Sequence, residues 1–476
     1  MKNIIFLTNL LISVFVLCDF NEFFSDKTLR IDYYHIGDAK EEEITIDKIY
    51  IQNFWAGSKK NLIENVNYGK YKIEVLIEDK LVYSHSYDSI FYEYQTTKKA
   101  KDGIKRTFSE SVLIPFPKKD FKISIKHKEK LVFEKEFFLK DIIISKEKKK
   151  GNYFIWEKKN CGVPSNCVDL VILAEGYTKK EKKKALKDFK KFYNVFFSQE
   201  PYKTLKNKFN FYGIFVPSGE IGCDEPSFNI WKDTAFGASF DSLDSERYIL
   251  SEENKNIRDW ASLVPYDAIL IMINHKRYGG GGIYNLYATF TADNYWNDYL
   301  LLHEFGHSFA GLGDEYYTSS TSYEDFYKIN EEPVEPNITA LLDKNNLKWK
   351  NFLSNDTPIP TPWEKEDFDK IDLDYQRERE KLNEELKEAK KSKKNEKIKI
   401  IEEKINTLSI ENFKKLNEFF KNSKWKGIVG AFEGAGYRNK WLFRPQIDCI
   451  MFSRGKKPYC KVCENAITER IKYLTE

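Results

Sequence analysis

Residues 297–316 read NDYLLLHEFGHSFAGLGDEY, and the reading of the whole chain turns on this stretch. The apolar run from Trp296 to Leu302 carries helix-start signals at Asn294 or Asn297, and His303-Glu304-Phe305-Gly306-His307 continues it. On a helix, residues four apart share a face, so His303 and His307 can reach one ion. Glu304 follows the first histidine directly, placed to hold a metal-bound water and take its proton. Zinc lowers the pKa of such a water to ~7, which yields hydroxide without strong base. Five residues of this kind also arise by chance on core helices, so the next few decide their weight.

Gly311-Leu312-Gly313 is expected to end the helix, because glycine accepts the left-handed turn of a C-terminal cap. Asp314-Glu315-Tyr316 then brings two carboxylates back towards the ion. A catalytic zinc takes three protein ligands and keeps one position open. In the metzincin pattern a third histidine stands where this chain has Gly313. Asp314 is therefore the expected third ligand, with Glu315 and, more remotely, His275 as alternatives.

Upstream of this stretch the pattern is that of an α/β layer. Val168 to Ala174 is continuously apolar, the mark of a strand buried on both faces. Thr178-Lys-Lys-Glu181 is a capping box opening a helix with Leu186, Phe189, Tyr193 and Phe196 on one stripe. Phe209–Val216 and Ala268–Ile273 supply two further strands. Tyr278 to Ile283, rich in glycine, reads either as an edge where a substrate strand can add or as a plain loop or hairpin turn.

From about residue 27 to 142 the chain alternates apolar and polar residues, as in Tyr71-Lys-Ile-Glu-Val-Leu-Ile77, which predicts a small antiparallel β-sandwich. Its histidines, His35, His85 and His127, are scattered singly and read as packing or surface residues. Residues 364–416 are mostly charged but keep helical stripes. They predict a helical hairpin, read as a surface insertion that spaces its flanks, with a partner-binding arm as the alternative. Deleting it between Pro362 and Trp425 is expected to leave fold and peptide hydrolysis largely intact.

The 476 residues carry 77 Lys+Arg against 73 Asp+Glu, a formal charge of +4, with 41% hydrophobic residues. That supports two or three domains at ~100–200 residues each, excludes a chain disordered throughout, and leaves no basic excess for nucleic acid. Residues 1–18 hold an apolar run too short to span a bilayer and read as a secretory signal. Cys18 at its end is a candidate lipid anchor, although Leu17 stands where a lipobox has a small residue. No later stretch predicts a transmembrane segment. The chain is thus expected to be exported: secreted, periplasmic or cell-surface associated. Cys161, Cys167, Cys223, Cys449, Cys460 and Cys463 read as disulfides or packed thiols. Cys460-Lys-Val-Cys463 suits a structural zinc, but no two further ligands stand near it in sequence.

The run His303 to Tyr316 resembles the IgA-peptidase family of bacterial zinc metallopeptidases, family sixty-four of the metallopeptidase classification. The likeness extends to Val168-Asp-Leu-Val-Ile-Leu-Ala-Glu-Gly-Tyr177, Tyr278-Gly-Gly-Gly-Gly-Ile283, Phe432-Glu-Gly-Ala-Gly-Tyr437, Arg444-Pro445, Asp448-Cys-Ile-Met451 and Cys460-Lys-Val-Cys463. Thr28–Tyr34, Glu93–Thr97 and Phe108–Pro117 are similar to that family's accessory N-terminal domain. The resemblance implies a zinc endopeptidase with metal ligands His303, His307 and Asp314 and catalysis through Glu304. It does not imply immunoglobulin A as substrate, since the family name comes from a few members. Met451 would lie in a Met-turn beneath the ion, with plain core packing as the other reading. Tyr437 is a candidate donor to the oxyanion.

The expected architecture is α+β. After the signal (1–18) come an N-terminal β-sandwich (22–145) and an α/β zincin-like, metzincin-like catalytic domain (153–476) with the 364–416 insertion. The expected function is an exported zinc (Zn2+) endopeptidase acting on protein or peptide through a metal-bound water activated by Glu304. The alternatives are a catalytically silent, zinc-stapled surface binding protein and a zinc hydrolase of small amides or sugars.

Overall fold

A computed structural model describes residues 19–65, 68–147, 151–318, 323, 326–354, 356–392 and 394–476. The expected signal, Cys18 and its expected lipid anchor lie outside the described residues, as does part of the charged break at 146–150. Among the described residues no helix is long and apolar enough to cross a membrane.

Alternation in the N-terminal third becomes two antiparallel sheets. Strands β1 (Phe24–Gly37), β2 (Glu42–Gln52) and β5 (Arg106–Pro117) pair in the order β2-β1-β5. Strands β3 (Tyr71–Ile77), β4 (Lys80–Tyr87), β6 (Phe121–His127) and β7 (Lys130–Phe137) pair in the order β4-β3-β6-β7. Every second residue of β3 is buried, as period-two patterning requires. One apolar cluster draws Ile31, Ile73, Val112 and Ile123 from both sheets, the packing a sandwich needs. His35 sits inside it as a packing residue, hydrogen-bonded at 2.9 Å to both Glu42 and Glu110. Short helices α1 (Phe20–Phe23), α2 (Ile90–Gln95) and α3 (Lys98–Lys101) fill the connections.

The second part is built on a six-stranded mixed sheet. Its strands are β8 (Phe154–Lys159), β9 (Val168–Glu175), β10 (Phe209–Phe215), β13 (Ala268–Ile273), β14 (Gly280–Ile283) and β15 (Tyr287–Thr291), with the two-residue pair β11 (Ala238–Ser239) and β12 (Leu250–Ser251) outside it. The order is β14-β15-β13-β9-β10-β8, parallel in the middle and antiparallel at both edges. All eight residues of β9 are buried, in accord with its unbroken apolar run. Leu170, Ile172 and Ala174 face α4 (Lys182–Phe196), α6 (Asn297–Ala310) and α9 (Lys461–Thr475). Val171 and Leu173 face the other way, towards α5 (Asn254–Ala261) and also Ile90, Phe91 and Phe108 of the N-terminal region. The two regions therefore share a core, and partly buried ion pairs such as Arg30–Asp259 (2.7 Å) and Arg470–Glu64 (3.1 Å) join them. The capping box at Thr178 forms as expected and opens a short turn leading into α4.

The charged segment forms the expected hairpin, α7 (Lys365–Lys391) and α8 (Asn395–Asn422), ending six residues beyond the expected 416. Its outer half closes on itself through Leu382, Leu386, Ala389 and Ile401. Its base does more than space its flanks: Phe368, Leu416 and Phe420 enter the main core. Lys390 near the tip pairs with the buried Glu225 at 3.2 Å. Held at both ends, the hairpin runs along a cleft and lines it. A stripe of Phe and Leu at helical spacing cannot show which neighbour it packs against, so this role was invisible in the sequence. Strands β16 (Phe432–Ala435) and β17 (Arg438–Arg444) form a separate hairpin before α9.

Candidate active site

Helix α6 is almost wholly buried from Tyr299 to Ala310, so its two histidines have fixed surroundings. Neither Asn294 nor Asn297 caps it by side chain; the helix begins at Asn297, and Asn294 instead accepts the Trp296 N–H at 2.9 Å. Gly311 ends it in the left-handed conformation (φ 60°), with its N–H donating to the His307 carbonyl at 3.0 Å. The chain then doubles back and brings Asp314 to the histidines.

His303 Nε2 lies 3.0 Å and His307 Nε2 3.2 Å from Asp314 Oδ1, and the two nitrogens are 3.2 Å apart. The opposite ring nitrogens face carbonyl oxygens, which can only accept: Ile450 O for His303 (3.0 Å) and Leu312 O for His307 (2.5 Å). Each ring thus keeps a proton on Nδ1 and turns Nε2 inward, where it offers a lone pair whenever that nitrogen is unprotonated. Asp314 Oδ1 is buried with no hydrogen-bond partner. Three electron-rich atoms converge on one point, an arrangement that calls for positive charge. A proton on His307 can supply part of it: burial lowers the His307 pKa, yet the neighbouring Asp314 lifts it to about 9.

Glu304 offers a carboxylate oxygen within 4.8 Å of the ligand atoms of both histidines. It could count as a ligand on that distance alone, but Asp314 Oδ1 stands 3.0 and 3.2 Å from the two Nε2 atoms and is the better placed carboxylate. Burial pushes its pKa up, against the pull of His303 and His307.

Glu315 turns away from the triangle. Its Oε1 accepts from Asn337 Nδ2 at 2.9 Å and lies 3.2 Å from Cys463 Sγ, so it stands among thiols rather than imidazoles. His275 is also elsewhere, paired with Glu225 at 3.3 Å. Of the three carboxylate and histidine alternatives, only Asp314 joins the two helix histidines.

Tyr437 donates its hydroxyl to Asp314 Oδ2 at 2.5 Å, which makes it a support for that carboxylate rather than a free donor. Asn337 clamps the same loop, accepting from Gly313 N (2.7 Å) and donating to Gly313 O (2.9 Å). Nothing in the sequence marks Asn337, because its role depends on a loop far from it in the chain. The buried Met451 lies in a turn under α6, and its carbonyl accepts the Glu315 N–H at 2.9 Å.

The glycine run at Tyr278–Ile283 leads into the edge strand β14, and the glycines of that strand serve the helix. A Cβ on Gly282 would stand 2.3 Å from Glu304 O and 2.9 Å from His307 Cβ. The outer edge at Gly280 is already taken: Ile249 N donates to Gly280 O and Gly280 N to Arg247 O, at 3.1 and 3.2 Å. Strand addition by a substrate at Gly280 is thereby closed.

Above the triangle opens a cleft walled by β14, by Asp314, Tyr316, Tyr323 and Tyr327, and by the base of the α7–α8 hairpin. The N-terminal region reaches it through Glu93, which accepts from Tyr248 and Tyr323 hydroxyls at 2.6 and 2.8 Å.

Of the six cysteines beyond Cys18, Cys161 and Cys167 form a disulfide, and Cys223, Cys449, Cys460 and Cys463 are buried free thiols. Among the curated proteins none matches the chain. The model of the IgA peptidase M64 family matches residues 157–471, and that of the peptidase M64 N-terminus matches residues 19–138. On that coverage, and with a helix, loop and cleft arranged as above, the chain belongs to the IgA peptidase M64 family and is a peptidase.

Proposed function

We propose that the chain is a zinc-dependent endopeptidase in which His303, His307 and Asp314 hold the metal and Glu304 is the general base. The observation that carries this reading is the triangle of His303 Nε2, His307 Nε2 and the unpartnered Asp314 Oδ1, with edges of 3.0 to 3.2 Å. Tetrahedral ligands at about 2.0–2.2 Å from zinc lie about 3.3–3.5 Å apart, close to these edges. Two imidazoles and one carboxylate form a catalytic donor set that leaves a position open. Bound there, the ion supplies Lewis acidity to a scissile carbonyl and acidifies water.

The chain's own residues do the rest. Ile450 and Leu312 carbonyls fix both imidazole tautomers. Tyr437 orients Asp314. Glu304, whose pKa burial raises, takes the proton of the attacking water and returns it to the leaving amine. A purely structural metal site would fill its fourth position and would have no use for a base there, which disfavours the silent-binder alternative.

The zincin-like, metzincin-like description is supported by a two-histidine helix packed under an edge strand, with the Met451 turn beneath it. We assign residues 22–145 as the accessory domain and 153–476 as the catalytic one. Export follows from reading residues 1–18 as a signal. The test is a peptide-library cleavage screen of the mature protein beside Glu304→Gln. Cleavage by the first and not the second is expected; equal cleavage by both, or none by either, would sink the mechanism.

A further inference from the structure

We propose a second metal site, of structural type, formed by Cys449, Cys460, Cys463 and Glu315. All four side chains are buried, and their ligand atoms lie within 4.8 Å of one another. Cys449 Sγ is 3.9 Å from Cys463 Sγ, Cys460 Sγ is 3.9 Å from Glu315 Oε1, and Cys463 Sγ is 3.2 Å from the same oxygen. A tetrahedral zinc with Zn–S of about 2.3 Å and Zn–O of about 2.0–2.2 Å sets S···S at about 3.8 Å and S···O at about 3.5 Å. The cluster already has that size. None of the three sulfurs is in a disulfide.

Two further observations point to a cation. Glu315 Oε2 is buried with no hydrogen-bond partner, a costly placement for a carboxylate among thiols unless an ion neutralises it. The sulfurs, in turn, accept backbone N–H groups as metal thiolates do: Cys449 Sγ from Met451 N (3.4 Å) and Cys460 N (3.2 Å), and Cys460 Sγ from Cys463 N (3.4 Å). Zinc is the ion this closed, thiolate-rich set selects, and binding releases the thiol protons to solvent. The ion would rivet three segments: the 313–316 loop, the Met451 turn and the N-terminus of α9.

Metal analysis of the intact chain should give two zinc ions. Cys463→Ser should lose one. In a His303→Ala/His307→Ala variant the remaining site, loaded with Co2+, should show a thiolate-to-cobalt charge-transfer band. A single zinc that Cys463→Ser leaves in place, or a cobalt spectrum without that band, overturns the proposal. These readouts do not depend on hydrolysis, and loss of only the histidine-held ion would fault the catalytic reading alone.

An independent observation carries a second inference, which rests on the peptidase reading of the cleft. Arg247, Arg379 and Arg454 all line it, from three different segments. Each faces tyrosine: Arg247 lies 5.5 Å from the Tyr316 ring, Arg454 4.1 Å from Tyr278 and Arg379 6.0 Å from Tyr375. Among the described residues none of them pairs with a carboxylate, and Arg379 Nε is buried without a partner. We infer that the cleft takes a peptide carboxylate, either an acidic side chain or the free C-terminus. Binding to Glu304→Gln, which cannot turn substrate over, separates this from catalysis. Peptides with Glu should bind it at least ~10-fold tighter than the Gln versions, or free C-termini tighter than amides. Adding Arg379→Gln should erase the difference. Equal binding of charged and neutral peptides, or a preference that survives Arg379→Gln, rejects the inference.

Discussion

Asp314 and Glu315 are consecutive, yet their carboxylates enter different clusters: Asp314 Oδ1 lies 3.0 Å from His303 Nε2, and Glu315 Oε1 lies 3.2 Å from Cys463 Sγ. Successive residues of an extended segment point to opposite sides. One short loop can therefore serve two sites, provided it is held still. Asn337 and the Met451 carbonyl hold it.

This arrangement predicts three distinct failures. Glu304→Gln keeps size and shape but removes the proton acceptor; metal and fold should remain while turnover falls by ~10²–10⁴. Asp314→Ala should lose the histidine-held ion first and activity as a result. Glu315→Ala should spare that ion and lose the one among the cysteines. Metal content and hydrolysis measured on all three decide it. Loss of the histidine-held ion in Glu315→Ala with retention in Asp314→Ala would exchange the two roles.

Tyr437→Phe removes one hydrogen bond to Asp314 Oδ2 and little volume. Outer-shell partners of this kind typically contribute ~10–100-fold in metal affinity. Chelator competition should show weaker binding of that size, with the fold intact by circular dichroism. Unchanged affinity would leave Tyr437 a packing residue only.

The grouping of the candidate residues was legible where spacing is local: helix α6 carries His303, Glu304 and His307, and the chain after Gly311 returns Asp314 to the two histidines. Period two gave the N-terminal sheets, and the unbroken run of β9 gave a doubly covered strand. What escaped depends on distant pairing. The pair Cys460 and Cys463 looked two ligands short, because Glu315 comes from a distant segment and Cys449 lies outside the close Cys-x-x-Cys spacing. The shared core of Val171, Leu173, Ile90 and Phe91 escaped for the same reason: apolar patterning says that a face is buried, not by what.

The hairpin separates into a base that the core needs and a tip that it does not. Deleting residues 384–404 removes mostly exposed helix, its own small cluster and the Lys390–Glu225 pair, with His275 and Arg277 left facing Glu225, and should cost far less stability than removing the base. Replacing residues 366–421 by a short linker should destabilise by several kcal/mol, because Phe368, Leu416 and Phe420 leave the core at about 1.5–3 kcal/mol each. Thermal denaturation of both deletions measures the contrast. A fully stable protein without residues 366–421 would return the hairpin to the role of surface insertion.

Glu93 predicts a pH dependence whose sign follows from its burial. The side chain is 7% exposed, and desolvation raises its pKa from 4.5 to about 7 despite the Tyr248 and Tyr323 hydroxyls, which pull it down. Between those two values the folded chain holds a proton that the unfolded chain has released. Stability therefore falls as pH rises through the window from about 4.5 to about 7, and levels off above it. At about 1.4 kcal/mol per pKa unit the span is about 3 kcal/mol. Glu93→Gln stays neutral throughout, and its amide oxygen can still accept from the tyrosines. The variant should match the parent near pH 4.5 and exceed it increasingly up to about pH 7. Taking the difference between the two proteins at each pH cancels every other titrating group. Denaturation of metal-saturated protein across that range checks the prediction. A difference that does not change with pH would mean that Glu93 is ionised in the folded chain, and that its two tyrosines outweigh its burial.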